Sequence, residues 1–199
     1  MRELFSDEKL KNIERIAEEL IIALGDDPQR EGMVKTPHRF AKACSEWFAG
    51  MQYTNEEIAE MYNTTFNEEC DDLIIEKGIK IFSHCEHHIA LMYDMTVNVG
   101  YIPKNNKVIG LSKIDRICEM VAKRFQIQER LCRDIADVLS IILGTDDIIV
   151  YVSGKHACKT SRGVKQDNDN GKFTSSHVRG AFKDNPTLRA EFYRICNMN

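Results

Sequence analysis

The chain has 199 residues, 43% of them hydrophobic and 29% charged, with a formal net charge of −4. That supports one sizeable core with an extension, and it excludes a global basic field that would attract nucleic acid. No run approaches the roughly 18 apolar residues of a membrane helix, and the start, Met1 to Glu8, is acidic with no apolar signal core. The expectation is a cytoplasmic protein with neither a nucleic-acid nor a membrane partner. Seven cysteines, an odd number without repeated spacing, fit a reducing compartment better than a disulfide framework.

In chain order, residues 7–24 repeat apolar groups at Leu10, Ile13, Ile16, Ala17, Leu20, Ile21 and Leu24, which predicts a helix capped by Ser6 and stopped by Gly25. Thr36-Pro37 predicts a second helix with Thr36 as cap, and Thr54 with Glu57 predicts a capping box on a third. The period changes at Asp72. Leu73 to Phe82 is β-rich, and residues 89–102 alternate closely enough to predict a half-buried strand. Ser112 with Asp115 reads as another helix start, residues 131–142 as a further helix stopped by Gly144, and 148–152 as a strand. A polar loop at 164–172, a last strand over 173–182 and a helix from Asn185-Pro186 complete the chain. The fold class is α+β. A helical N-terminal region, 1–70, precedes a β-β-α-α-β-β-α domain, 71–199, with an antiparallel sheet.

Between the first two strands stands Ser83-His84-Cys85-Glu86-His87-His88, which holds half of the six histidines. The cluster sits at the predicted turn of a long hairpin, so Cys85 and His88 can face one point. Thiolate and imidazole suit Zn²⁺. A third ligand is available far downstream in His156-Ala157-Cys158, at the end of another predicted strand. Three protein ligands with an open fourth position form a catalytic rather than a structural zinc site. The reading is a zinc centre of Cys85, His88 and Cys158, with His87 and His156 left for proton transfer. The competing readings are a solvated hairpin tip or a Cys85–Cys158 disulfide. His84-Cys85-Glu86 also fits the first half of a zinc deaminase signature, but its second half, P-C-x-x-C, is absent.

Cationic residues gather around the same features: Lys113 and Arg116 at a helix start, and Lys155, Lys159, Arg162 and Lys165 around Cys158. Each alone reads as solvated surface. Together they favour an anionic ligand, and Arg suits phosphate because its planar fork bonds two oxygens. Gln128-Glu129 opens a helix, either as a favourable first-turn acid or as a polar pair facing a base.

These residues resemble the GTP cyclohydrolase I family. The resemblance rests on Cys85-Glu86-His87-His88, Gly110-Leu111-Ser112-Lys113, Gln126 through Leu131, and His156-x-Cys158-x-x-x-Arg162-Gly163, in that order. Asp27-Pro28-x-Arg30-Glu31-Gly32 and Thr36-Pro37-x-Arg39 agree with it, and it spans roughly residues 8–196. A departure is Lys159, where relatives often carry an apolar residue. The resemblance implies that GTP and water become 7,8-dihydroneopterin triphosphate and formate, the first step of folate and pterin biosynthesis. It also implies the tunnelling fold, in which sheets of several subunits join into a barrel, and a homodecamer with sites at subunit boundaries. The short N-terminal extension implies that the regulatory region of longer relatives is missing.

By the same resemblance Gln128 and Glu129 hold the guanine, Lys113, Arg116, Arg162 and Lys42 the triphosphate, and Glu86 joins the substrate contacts. His87 and His156 move protons as the imidazole ring opens, and Ser112 assists at the ribose. The alternative from another class is a zinc-stabilised assembly protein on the same fold. Its weakness is that a scaffold has no need of His87, His156 and Glu129.

Overall fold

The computed structural model describes residues 5–167 and 171–197. Residues 168–170 of the predicted polar loop lie outside the described residues. The chain divides into two compact units, Met1–Gln52 and Tyr53–Asn199.

The first unit is helical. α1, Asp7–Ala23, begins at Ser6, whose hydroxyl accepts from Lys9 N at 3.3 Å, and ends at Leu24 before Gly25, which takes φ +91°. α2 is Thr36–Trp47, followed by a 3₁₀ turn, Ala49–Gln52. Its cap is Lys35, one residue before the expected Thr36: Thr36 N already bonds Met33 O at 2.8 Å, so the preceding turn winds into the helix without a side-chain cap. Between the two helices Arg30 forks onto Asp26 at 2.8 and 2.6 Å. Ala17 and Ile21 of α1 are buried, whereas Ile16, Leu20 and Leu24 of the same apolar pattern are exposed.

The second unit opens with α3, Asn55–Tyr62, closed at its start by the expected reciprocal Thr54–Glu57 capping box. Two short strands, β1 (Thr65–Asn67) and β4 (Lys107–Ile109), pair antiparallel. The main sheet contains β2 (Ile74–Cys85), β3 (Ala90–Tyr101), β5 (Phe125–Gln126), β6 (Ile148–His156) and β7 (Phe173–Val178), in the order β5-β2-β3-β6-β7. All its pairs are antiparallel except β2 with β5. α4 (Leu111–Ala122) and α5 (Gln128–Leu143) supply Ile114, Ile117, Val121, Ile135 and Leu139 to a core shared with Val97, Val99, Val150 and Val152. α+β is therefore the observed class, with the two long helices between the hairpin and the last two strands.

A second, smaller cluster joins Ile149 to Phe182 and Phe192, contributed by α7 (Ala181–Asp184) and α8 (Pro186–Ile195). Successive strand residues point to opposite faces, so Ile148–Val152 is covered on both and reads as an unbroken apolar run. A Cβ on Gly100 would lie 2.7 Å from the Phe192 ring, so glycine is what lets α8 close on the sheet there. The last strand stops at Val178, short of the predicted 182, because Gly180 (φ +49°) starts α7. Ser112 is not the cap of α4. Gly110 holds that place, and Ser112 is a first-turn residue.

Candidate active site

The sheet register builds the site. In β3, Met92 faces Ser83 of β2 on one side and His156 of β6 on the other. Strands lie about 4.8 Å apart, so the hairpin tip that follows Ser83 and the segment that follows His156 emerge at the same end of the sheet, roughly 10 Å apart across β3. Cys85 closes β2 opposite Ala90, and residues 86–89 form the turn. Ile89 takes φ +51°, a left-handed conformation that a β-branched residue adopts at a cost. Beyond β6 the chain bends at once into α6, Ala157–Thr160, which carries Cys158. A donor atom from each of Cys85, His88 and Cys158 lies within 4.8 Å of the others. Bonds of about 2.3 Å to sulfur separate two tetrahedral thiolates by roughly 3.8 Å, so the three need to draw in by about an ångström at most to hold zinc.

Burial first, and then Cys85, pushes the Cys158 thiol above its ordinary range. Two adjacent thiols resist ionising together, and a bound cation removes that conflict, so this donor set fits a divalent metal. Cys85 is buried, Cys158 half-buried and His88 exposed, which leaves the site open on one side. His87 stands beside it, with Nδ1 3.6 Å from Cys85 Sγ.

A pocket of about 260 Å³ adjoins the three donors. His87, His156, Gln128 and Glu129 line it together with Lys155 and Lys159. The N-terminus of α5 reaches it because β5 runs parallel to the end of β2, with Gln126 opposite Cys85 and Glu86 N bonded to Gln126 O at 3.1 Å. Burial lowers the pKa of His156, the Glu129 charge opposes that shift and Lys159 adds to it, so a neutral imidazole is favoured. Its ring meets Phe173 edge-on at 5.7 Å. Gln128 is 1% exposed and bonds His156 through its side chain.

The other expected residues stand elsewhere. Ser112, Lys113 and Arg116 lie on the first turns of α4 and do not line the pocket. Arg162 follows α6 and contacts His88, with Nη1 3.0 Å from Nε2. Glu86 is ion-paired to Arg130, which holds its carboxyl below the usual range. Lys42 belongs to α2, in the other compact unit. Phe173, Thr160, Gln126 and Ile127 also line the pocket, and the sequence alone assigns them no role there. Nothing in their own spacing distinguishes them, because register and chain reversal bring them there.

The sequence model for "GTP cyclohydrolase I" matches residues 13–197. The chain belongs to the GTP cyclohydrolase I family. It is 49% identical over 185 residues to GTP cyclohydrolase 1 of Clostridium botulinum (strain Kyoto / Type A2), covering 90% of this chain and 93% of that one. It is 48% identical over 183 residues to GTP cyclohydrolase 1 of Clostridium acetobutylicum, covering 89% and 92%. With GTP cyclohydrolase 1 of Clostridium beijerinckii the figure is 48% over 187 residues, covering 91% and 93%. The family is one of enzymes, and among the described residues no helix is long and apolar enough to cross a membrane.

Proposed function

We propose that the chain catalyses the zinc-dependent conversion of GTP and water to 7,8-dihydroneopterin triphosphate and formate, the opening step of pterin and folate synthesis. The observation that carries this reading is the meeting of Cys85, His88 and Cys158 at the edge of a pocket lined by His87, His156 and Glu129. Cys85, His88 and Cys158 would hold zinc, which when bound supplies Lewis-acid activation of water for hydrolysis.

The remaining work falls to side chains of this chain. Glu129 is exposed in the pocket and offers two acceptor oxygens to a base that presents neighbouring donors, as guanine does with N1–H and N2–H₂. His156, half-buried and biased toward neutrality, takes and returns protons at the purine ring, and His87 at the exposed rim serves the same chemistry. Lys155 and Lys159 line the pocket, Arg162 contacts its His88 wall, and the three suit the triphosphate. Ser112, Lys113, Arg116 and Lys42 do not line this pocket, and a site completed across a subunit boundary accounts for them. We therefore read the working form as a closed homo-oligomer, a homodecamer by resemblance, in the cytoplasm.

The test is metal content together with product analysis. Zinc-loaded protein given GTP should release one formate per pterin formed, and Cys85→Ser, His88→Ala or Cys158→Ser should lose both zinc and turnover. His87→Ala should keep zinc and lose about 10²-fold or more in kcat. No formate from the zinc-loaded chain, or stoichiometric zinc in Cys158→Ser, overturns the reading.

A further inference from the structure

We propose that Gln128 is a positioning residue that fixes His156 as its Nε2–H tautomer, and that its side chain does not hold the substrate base. A carboxamide has two N–H donors on one end and an acceptor oxygen on the other. Gln128 Nε2 lies 2.9 Å from Val152 O and 3.0 Å from Phe173 O. Both partners are backbone carbonyls, which only accept. The nitrogen end is thereby assigned, because the flipped amide would press an oxygen against two oxygens. Gln128 Oε1 then lies 3.0 Å from His156 Nε2. An amide oxygen cannot donate, so the hydrogen of that bond sits on His156 Nε2.

Two consequences follow for the pocket. Both N–H groups of the Gln128 amide are spent on β6 and β7, its oxygen is spent on His156, and the residue is 1% exposed. No side-chain donor of Gln128 is left for guanine. The exposed neighbour, Glu129, lines the same pocket and is free of that duty. Meanwhile His156 carries its lone pair on Nδ1. Nδ1 is therefore the ring nitrogen turned to the pocket side as an acceptor, and the Nε2–H bond to Gln128 holds the ring in one orientation. The Phe173 edge contact, supplied by the strand whose carbonyl Gln128 also holds, packs the ring in the same place.

The proposal rests on His156 as a proton-transfer group, and its test separates the two. In zinc-loaded protein labelled with ¹⁵N-histidine, magic-angle-spinning NMR at a pH where the ring is neutral should show His156 protonated at Nε2 and unprotonated at Nδ1. Comparison with His156→Asn assigns the signals. Gln128→Met should populate both tautomers and keep its zinc. Its kcat should fall about 10²-fold with KM for GTP within about threefold, since the general acid–base group is misplaced and the base contacts are intact. A KM raised tenfold or more at unchanged kcat would make Gln128 a base-holding residue and overturn the proposal. The wild-type spectrum needs no variant to fold: an Nδ1–H tautomer there overturns the proposal by itself, with or without turnover data. Full turnover in His156→Asn overturns instead the proton-transfer reading on which it rests.

Discussion

Arg162 Nη1 lies 3.0 Å from His88 Nε2, and this hydrogen bond is incompatible with a metal on His88. A guanidinium only donates, so the lone pair of His88 here is on Nε2. A metal on Nε2 takes that lone pair. A metal on Nδ1 forces the remaining proton onto Nε2, which then faces the guanidinium donor to donor. On either nitrogen a bound metal would release Arg162 from His88, which itself lines the pocket. Arg162→Gln is therefore expected to bind zinc as tightly as wild type or a few-fold tighter, while its affinity for GTP falls at least tenfold. A chelator competition gives the first value and equilibrium dialysis the second. Zinc binding weakened tenfold in Arg162→Gln would show that the arginine supports the metal site rather than competing for it.

A second relationship bears on Glu86. Its carboxylate meets Arg130 Nη2, which also donates to Phe125 O at 2.8 Å, and Arg130 Nε reaches Gln126 Oε1 at 3.1 Å. Arg130 thus fastens the turn that carries Glu86 to β5 and the start of α5. Partners of this kind orient metal ligands, and their loss costs about 10–100-fold in metal affinity. Arg130→Met is expected to weaken zinc by about tenfold. Glu86→Gln should do so less and leave KM for GTP within twofold, because the carboxylate is already engaged. A large rise in KM with normal zinc content would restore Glu86 to the substrate contacts.

Much of this arrangement was legible in the sequence, for identifiable reasons. The Thr54–Glu57 box and the Ser6 and Asn185 caps depend on neighbours three residues apart or fewer, and each forms as read. The Cys85–His88 turn follows from a β-rich run and an alternating one that flank it. Two very short elements were not legible: β5 has two residues and β1 three, too few to show a repeat. Yet β5 is what brings α5 beside Cys85. Gln128 shows the same limit in a side chain. With Glu129 it reads as a polar pair facing a base, whereas carbonyls of β6 and β7, from partners 24 and 45 positions away, take its amide N–H groups.

Away from the pocket, Glu76 on β2 is half-buried and its Oε2 has no hydrogen-bond partner. Burial, and then Asp115 on α4, pushes its pKa up to about 7. The folded chain consequently holds a proton there that the unfolded chain, with an ordinary carboxyl near 4.5, gives up. The sign follows: Glu76 favours folding below about pH 4.5, and that contribution is lost as pH rises toward 7 and beyond. Glu76→Gln should flatten the stability profile over this window and raise stability above pH 7 by roughly 1 kcal/mol, a value discounted for partial exposure. Denaturant midpoints at pH 5 and pH 8 measure it. An equal change at both values would mean that packing, not charge, accounts for the effect.

Base choice is expected to rest on Glu129. Guanine presents N1–H and N2–H₂ side by side, and an ionised carboxylate accepts from both. Adenine offers a bare N1 and no 2-amino group, so it would leave the carboxylate without a partner in a pocket closed by substrate. Sites built around a substrate's donors reject analogues that lack them far more strongly than apolar pockets do. Gln128 cannot share this task with its amide already committed, so the discrimination concentrates on one residue. Glu129→Ala should lose about 2–3 kcal/mol of GTP binding, roughly 30- to 150-fold in Kd, and most of its preference over ATP. Zinc content should not change, because Glu129 is not among the three donors. The effect should also be separable from that of Gln128→Met: one variant moves Kd and base preference, the other kcat. If Glu129→Ala binds GTP normally, the carboxylate is a first-turn acid favoured by the α5 dipole and no more. Base recognition would then have to come from backbone groups at the start of that helix.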